Sequence, residues 1–196
     1  MTVSTAQAGG LMKEARRRAS GAALCFVARY ERPWRARDCR NPMRYWLMKS
    51  EPAEFSIDDL ARAPGRTTAW FGVRNYQARN FMRDQMQVGD LAFFYHSSCP
   101  EPGIAGIVRV SKPAYPDASQ FDRRSPYFDP KATRAAPRWL NVDVTLVERT
   151  RLVALAELRA QRQLAGMRVL QRANRLSVTP VDPKEWKFIT GTLLGN

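Results

Sequence analysis

The chain has 196 residues, enough to bury the core of one domain with an appendage. Its 32 Lys+Arg against 18 Asp+Glu give a formal net charge of +14, which points to a polyanionic partner, nucleic acid before an anionic membrane surface. No run of about 18 apolar residues offers a membrane span. With Cys25, Cys39, Cys99 and the single His96, the chain offers no metal-ligand spacing, so reduced thiols and no structural zinc are expected.

Residues 1–42 hold nine Lys/Arg and three acids, a net +6, with little sustained periodicity. An apolar patch at 22–28 follows Arg16, Arg17 and Arg18. It is short and interrupted, and no convincing small-residue cleavage site follows, so a signal peptide fits poorly. A transit peptide fits in composition only. The expectation is a basic N-terminal extension, either disordered or preceding a natural start at Met43. The domain proper is then 43–196.

Residues 44–49 read as an aromatic-rich strand, ended by Ser50-Glu51-Pro52 because Pro52 supplies no N–H. Ser56 caps a short helix over 57–63, with Asp58 and Asp59 in its first turn. The stretch 70–80, Trp-Phe-Gly-Val-Arg-Asn-Tyr-Gln-Ala-Arg-Asn, gathers stacking faces (Trp70, Phe71), a permissive Gly72 and the planar donor fork of Arg74. Asn75 is the cap of a helix running to about Met86. The plainer alternative is that Trp70 and Phe71 are core and the arginines a solvated face.

After the turn at 88–90, residues 91–96 form a continuous apolar run that suits a core strand, and 104–110 is its antiparallel partner. Gly106 inside that partner marks a bulge or a close backbone approach. The connection 112–137 is long and carries five prolines, with Tyr115, Phe121, Tyr127 and Phe128 among charged residues. Its aromatics either pin it down or make it a flap over nucleic acid. Residues 139–147 alternate as a half-buried strand, 155–163 is a helix, and 174–178 is a last short strand. Asp182-Pro183-Lys184-Glu185 opens a final helix with a capping box, ending near Gly191. The order implies a small mixed α+β domain on a curled antiparallel sheet or barrel.

Sites for chemistry are few. His96 is the one histidine, so any Ser/His/Asp or Cys/His mechanism must use it. Ser97 and Cys99 lie too near in sequence to face it as nucleophiles. Neither a P-loop nor a G-x-G-x-x-G occurs, so no nucleotide cofactor is indicated. The pairs Asp58/Asp59 and Asp117/Asp122 read as capping and solvation. What remains is a binding set: Trp46, Trp70, Arg74, Asn75, Tyr95, His96 and Arg175. Holding one base in a pocket requires stacking faces and a few oriented donors and acceptors, and these residues supply them.

In order along the chain, Tyr45-Trp46-Leu47-Met48-Lys49-Ser50-Glu51-Pro52, the 70–80 stretch, Gly89-Asp90, and Phe94-Tyr95-His96-Ser97 closely resemble the EVE domain. The match continues through Gly103-Ile104-Ala105-Gly106, Ala114-Tyr115-Pro116-Asp117, Arg138-Trp139, Asn174-Arg175-Leu176-Ser177-Val178, Pro180 and Trp186. It covers about Met43 to the C-terminus. The resemblance implies a PUA-like fold, a small β-barrel with surrounding helices. It is similar to the YTH domains that hold methylated adenine in an aromatic cage. It also implies a reader of modified nucleobases, with modified cytosine in DNA suspected for some members.

The expected function is therefore a non-catalytic module binding nucleic acid, DNA or RNA, through a modified base. Trp46 and Trp70 would wall the base, Ser50, Asn75, Tyr95 and His96 would read it, and Lys49, Arg74, Arg79 and Arg175 would meet phosphates. No cofactor, metal or membrane is expected, and the chain is expected to be a monomer, cytoplasmic in a bacterium or nuclear in a eukaryote. Two alternatives stand beside this: an enzyme on RNA or a nucleobase using His96, and an adaptor binding proteins through the Pro-rich connection.

Overall fold

The structure, a computed structural model, describes residues 42–195. Expectations for the N-terminal extension, Cys25 and Cys39 fall outside these residues, Pro42 apart. Six strands and four helices follow in the order β1 (Tyr45–Ser50), α1 (Ile57–Arg62), β2 (Thr67–Ala69), α2 (Tyr76–Asp84), β3 (Leu91–His96), β4 (Gly103–Pro116), β5 (Leu140–Ala154), α3 (Leu155–Ala160), β6 (Val178–Val181) and α4 (Pro183–Phe188).

Strands β1 and β3 are apolar on both faces because both faces are covered. Tyr45, Leu47, Leu91, Phe93 and Tyr95 pack with Leu158 of α3 and with Trp186 of α4. Trp186 stacks 4.1 Å from Phe93 and 4.6 Å from Tyr45, centroid to centroid. Trp46, Met48, Ala92 and Phe94 face the other way, onto Ile57 and Leu60 of α1 and Ala78 and Met82 of α2. The helices start where their caps dictate. Ser56 and Asp182 each form a capping box, and Asn75 accepts from the N–H groups of Gln77 and Ala78.

The strands form one sheet in the order β2-β5-β4-β3-β1-β6. β3 and β4 are antiparallel as expected, but β1 and β3 are parallel, so the core is not purely antiparallel. A parallel pair cannot be joined by a hairpin. The crossover spans 51–90 and carries α1, β2 and α2, with β2 laid on β5 at the far edge. Pairing ends at β2 and β6, and no ladder joins those two among the described residues. The expected mixed sheet is present, while closure into a barrel by hydrogen bonds is not.

β4 runs beyond its expected end to Pro116, which pairs with Leu140, and β5 runs beyond its own to Ala154, which pairs with Gly103. Polar residues in these arms hid them from the apolar pattern. Four register shifts interrupt the β4–β5 ladder and bend the hairpin. At Gly106 a Cβ would lie 2.8 Å from both the Glu148 carbonyl oxygen and Ile57 Cδ1, the close approach that its position suggested. The remaining connection is tied down by Gln120, which is fully buried. Its amide donates to the carbonyls of Asp117 and Trp139 and accepts from the N–H groups of Arg138 and Trp139.

Candidate functional site

A cleft of about 390 Å³ opens where β1 ends and the two edge strands flank it. Thr68 and Ala69 of β2 line one side, and Ser177, next to β6, lines another. The unclosed seam of the sheet and the cleft are thus the same place. Because β1 and β3 are parallel, their C-terminal ends arrive together. The Ser97 N–H donates to the Ser50 carbonyl at 2.8 Å, and both residues line the cleft.

Trp70 extends β2 by donating its N–H to the Val142 carbonyl (2.7 Å). Its ring meets Phe94 edge-on at 5.2 Å, so it is mostly core, with one part on the cleft. Phe71 follows and is 46% exposed. Gly72 then turns the chain at φ +80°, a left-handed conformation that favours glycine. The Tyr127 ring lies over Gly72, and a Cβ there would come within 2.8 Å of it. Tyr127 also meets Phe71 edge-on at 5.9 Å, and its hydroxyl donates to Glu54. Burial and that carboxylate push the Tyr127 phenol up to about 12.

The polar lining has two characters. Glu51 accepts from the Ser98 hydroxyl (2.8 Å) and Glu54 from Tyr127, leaving carboxylate lone pairs for a donor. The Ser50 hydroxyl donates to the Phe55 carbonyl at 2.6 Å. Lys49 donates to the Asn174 carbonyl at 3.2 Å, and burial lowers its pKa. Arg175 is exposed and makes no ion pair or hydrogen bond among the described residues. The cleft therefore combines aromatic surface, acceptors for an amine, and cations for an anion.

Of the ten expected site residues, Lys49, Ser50, Trp70 and Arg175 line this cleft. The other six are placed elsewhere, each for a stated reason. Trp46 is 1% exposed, and its indole N–H donates to Asp90 at 3.1 Å, so it is interior rather than a wall. Tyr95 belongs to the opposite face of the sheet, where burial raises its pKa to about 12. Asn75 has its amide oxygen committed to the first turn of α2. His96 accepts from the Ile57 N–H through Nε2 at 3.1 Å, completing the start of α1. Burial lowers the His96 pKa, in keeping with that neutral acceptor.

Arg74 is a strut. It donates to Asp117 (2.8 Å), to Ser119 (2.9 Å) and twice to the Tyr127 carbonyl (2.9 and 2.5 Å). Asp117 also accepts from the Gly72 N–H at 3.1 Å. Burial raises the Asp117 pKa, but hydrogen bonds from Ser119, Arg74 and Gly72 outweigh it and hold the carboxyl below its usual range. Arg74 and Asp117 thus fix Gly72 and Tyr127, the roof of the cleft, without lining it. Arg79 donates to the Arg138 carbonyl at 2.9 Å and to Asn80.

Glu51, Glu54, Phe71 and Tyr127 line the cleft and were not in the expected pocket. Phe71 carried a signal as a stacking face and Tyr127 as an aromatic in the long connection. Glu51 read only as a strand end beside Pro52, and Glu54 carried no signal. Among the described residues, no group of three or more His, Cys, Asp or Glu is placed to hold a metal ion. No described helix is long and apolar enough to cross a membrane.

The EVE domain family model matches residues 44–192, three quarters of the chain. The chain belongs to the EVE domain family. Among relatives, thymocyte nuclear protein 1 of Homo sapiens is 45% identical over 168 residues, which are 76% of this chain and 74% of the human one. A solved protein from Pseudomonas putida is 51% identical with a TM-score of 0.72, covering 75% of this chain and 97% of its own. Human THYN1 solved in complex with 5-methylcytosine containing DNA is 44% identical, also with a TM-score of 0.72, covering 76% of this chain and 96% of its own. This EVE domain is therefore similar, over almost the whole of that solved chain, to one that holds methylated DNA.

Proposed function

We propose that this EVE domain binds nucleic acid and receives a modified base in the cleft at the sheet seam, without catalysis. The observation that carries this is the mixed lining of the cleft: Glu54 is bonded to Tyr127, whose ring meets Phe71, while Lys49 is bonded to the Asn174 carbonyl, next to Arg175. Carboxylates repel phosphate, so a phosphate belongs with the cations. A base belongs with the rings and carboxylates. The volume, about 390 Å³, sits at the low end of small-ligand pockets, about 300–1,000 Å³.

Cytosine fits the acceptor set, because its exocyclic N4 amine is a donor that a carboxylate accepts. Glu51 and Glu54 are the acceptors in reach of the cleft. The human relative solved with 5-methylcytosine containing DNA makes that base the first probe. The base enters flipped from a duplex or from a single strand, at a cost of a few kcal/mol for unstacking. The curled sheet would then act as a PUA-like barrel whose open seam is the binding slot. Catalysis by His96 is disfavoured by its use as a helix-start acceptor. The protein acts as a monomer wherever nucleic acid is accessible, nuclear in a eukaryotic cell and cytoplasmic in a bacterial one.

The test is a titration with matched DNA strands carrying cytosine or 5-methylcytosine, and the same pair in RNA. The methylated DNA is expected to bind more tightly. Trp70→Leu, which reshapes the cleft wall, is expected to bring the methylated strand down toward the affinity of the unmethylated one, with the fold checked by circular dichroism. Equal affinity of the wild-type protein for all four strands overturns the reading.

A further inference from the structure

Only two large hydrophobic side chains among the described residues are exposed, Phe71 and Tyr76, each at 46%. Phe71 belongs to the cleft. Tyr76 opens α2, does not line the cleft, and has no part in the function proposed above.

Tyr76 is nonetheless built in place. Its ring lies 4.9 Å from that of Trp139, tilted by 31°. Trp139 is buried, and its indole N–H is anchored to Asp129 at 2.7 Å. The Arg79 and Arg138 guanidiniums approach the Tyr76 ring at 4.8 and 5.6 Å from its centroid. Arg138 also donates to the Tyr76 hydroxyl. Arg138 is charge-paired with Asp129, whereas Arg79 makes no ion pair and hydrogen-bonds to neutral oxygens, the Arg138 carbonyl and the Asn80 amide, with the Asp84 carboxylate near enough to feel its charge. The Arg79 guanidinium is therefore oriented, and Asp84 is hydrogen-bonded to Arg83 rather than to it. A solvated tyrosine needs none of this. A ring held in place near two guanidiniums, with 46% of its surface still exposed, suits a planar, anionic partner.

The ring is also connected to the cleft. Phe71 touches Tyr127, Arg74 lies over both Tyr127 and Trp139, and Trp139 touches Tyr76. Each step is between 4.9 and 5.9 Å. The two exposed rings are thus the ends of one continuous band of flat groups.

We propose that Tyr76, flanked by Arg79 and Arg138, is a second stacking platform, for a base flanking the modified one on the same nucleic-acid strand. This rests on the reader function above and extends it to the path of the strand. The cleft selects the base, and the Tyr76 platform adds affinity that is indifferent to methylation, because any base presents a flat face to a ring.

The experiment compares wild type, Tyr76→Ala and Tyr76→Phe on two probes: 5-methyl-deoxycytidine monophosphate and a short single-stranded DNA with one central 5-methylcytosine. Strand and mononucleotide titrations are followed by tryptophan fluorescence. Tyr76→Ala is expected to weaken the strand about tenfold, equally for methylated and unmethylated strands, and to leave the mononucleotide unchanged. Tyr76→Phe is expected to keep the strand affinity, since the ring remains. Strand affinity unchanged in Tyr76→Ala overturns the platform while the reader function stands. An equal loss on strand and mononucleotide also overturns it, because the variant then acts through the cleft. A wild-type protein that binds neither methylated probe overturns the reader function and the platform together.

Discussion

Arg74 and Arg175 carry the same guanidinium, and the structure uses them in opposite ways. Arg74 is enclosed by Asp117, Ser119, Tyr127 and Val73, every partner supplied by the fold. Arg175 stands exposed beside the cleft with no partner among the described residues. In so basic a chain, cations divide between those that hold the cleft in shape, as Arg74 does, and those that no partner among the described residues claims, as Arg175. Residue type does not tell them apart. What does is whether a carboxylate and carbonyls wait within hydrogen-bond reach.

Removing the enclosed member should have the largest effect. Arg74→Met leaves the Asp117 carboxylate buried without its cation, and about 3 kcal/mol of stability is expected to go, read from urea unfolding. The same variant should loosen the Gly72–Tyr127 roof and weaken binding as a consequence. His96, another group the fold has claimed, comes next. His96→Phe orphans the Ile57 N–H, at a cost of roughly 1–3 kcal/mol.

His96 also sets a pH dependence. The folded state holds its pKa below 6.5, so the folded protein binds fewer protons than the unfolded chain there. The His96 contribution is present above pH 6.5 and is lost as pH falls through the lowered folded value. Melting temperatures measured downward from pH 7 should decline more in wild type than in His96→Phe. A decline of equal size in both would show that other groups set it.

Arg175→Met should have the smallest effect on stability, within about 0.5 kcal/mol, as for an unpartnered surface side chain. It should still weaken every DNA strand, methylated or not, and lower the slope of log affinity against log salt by about 0.9. If Arg175→Met instead destabilises as much as Arg74→Met, the division between the two arginines fails.

Much of the fold was legible because local chemistry fixes it. Ser56, Asn75 and Asp182 start helices where their side chains reach the free N–H groups. The aromatic-rich stretch at 44–49 and the apolar run at 91–96 correspond to β1 and β3. β2 was not legible, since Thr67–Ala69 carries no pattern and exists only because β5 supplies a partner. The expected last strand at 174–178 begins instead at Val178, because Asn174 turns back to cap the Leu176 N–H. The family resemblance was legible, and four of the ten expected site residues line the cleft. Trp46 and Trp70 look alike in sequence, and a strand apolar on both faces gives period-two reading no inside and outside to choose between. The separation came from topology: Trp70 ends an edge strand at the seam, while Trp46 lies in β1 between β3 and β6.

That location of β1 has a consequence for how the molecule is made. The first strand of the domain is hydrogen-bonded on one side to a strand from mid-chain and on the other to residues 178–181. A nascent polypeptide emerging from the ribosome can complete neither pairing until long after β1 has been synthesised, and the second only near termination. Assembly should therefore be slow for a domain this small, dominated by distant contacts. A chain cut short before β6 would present β1 as a bare edge, inviting it to pair with another copy.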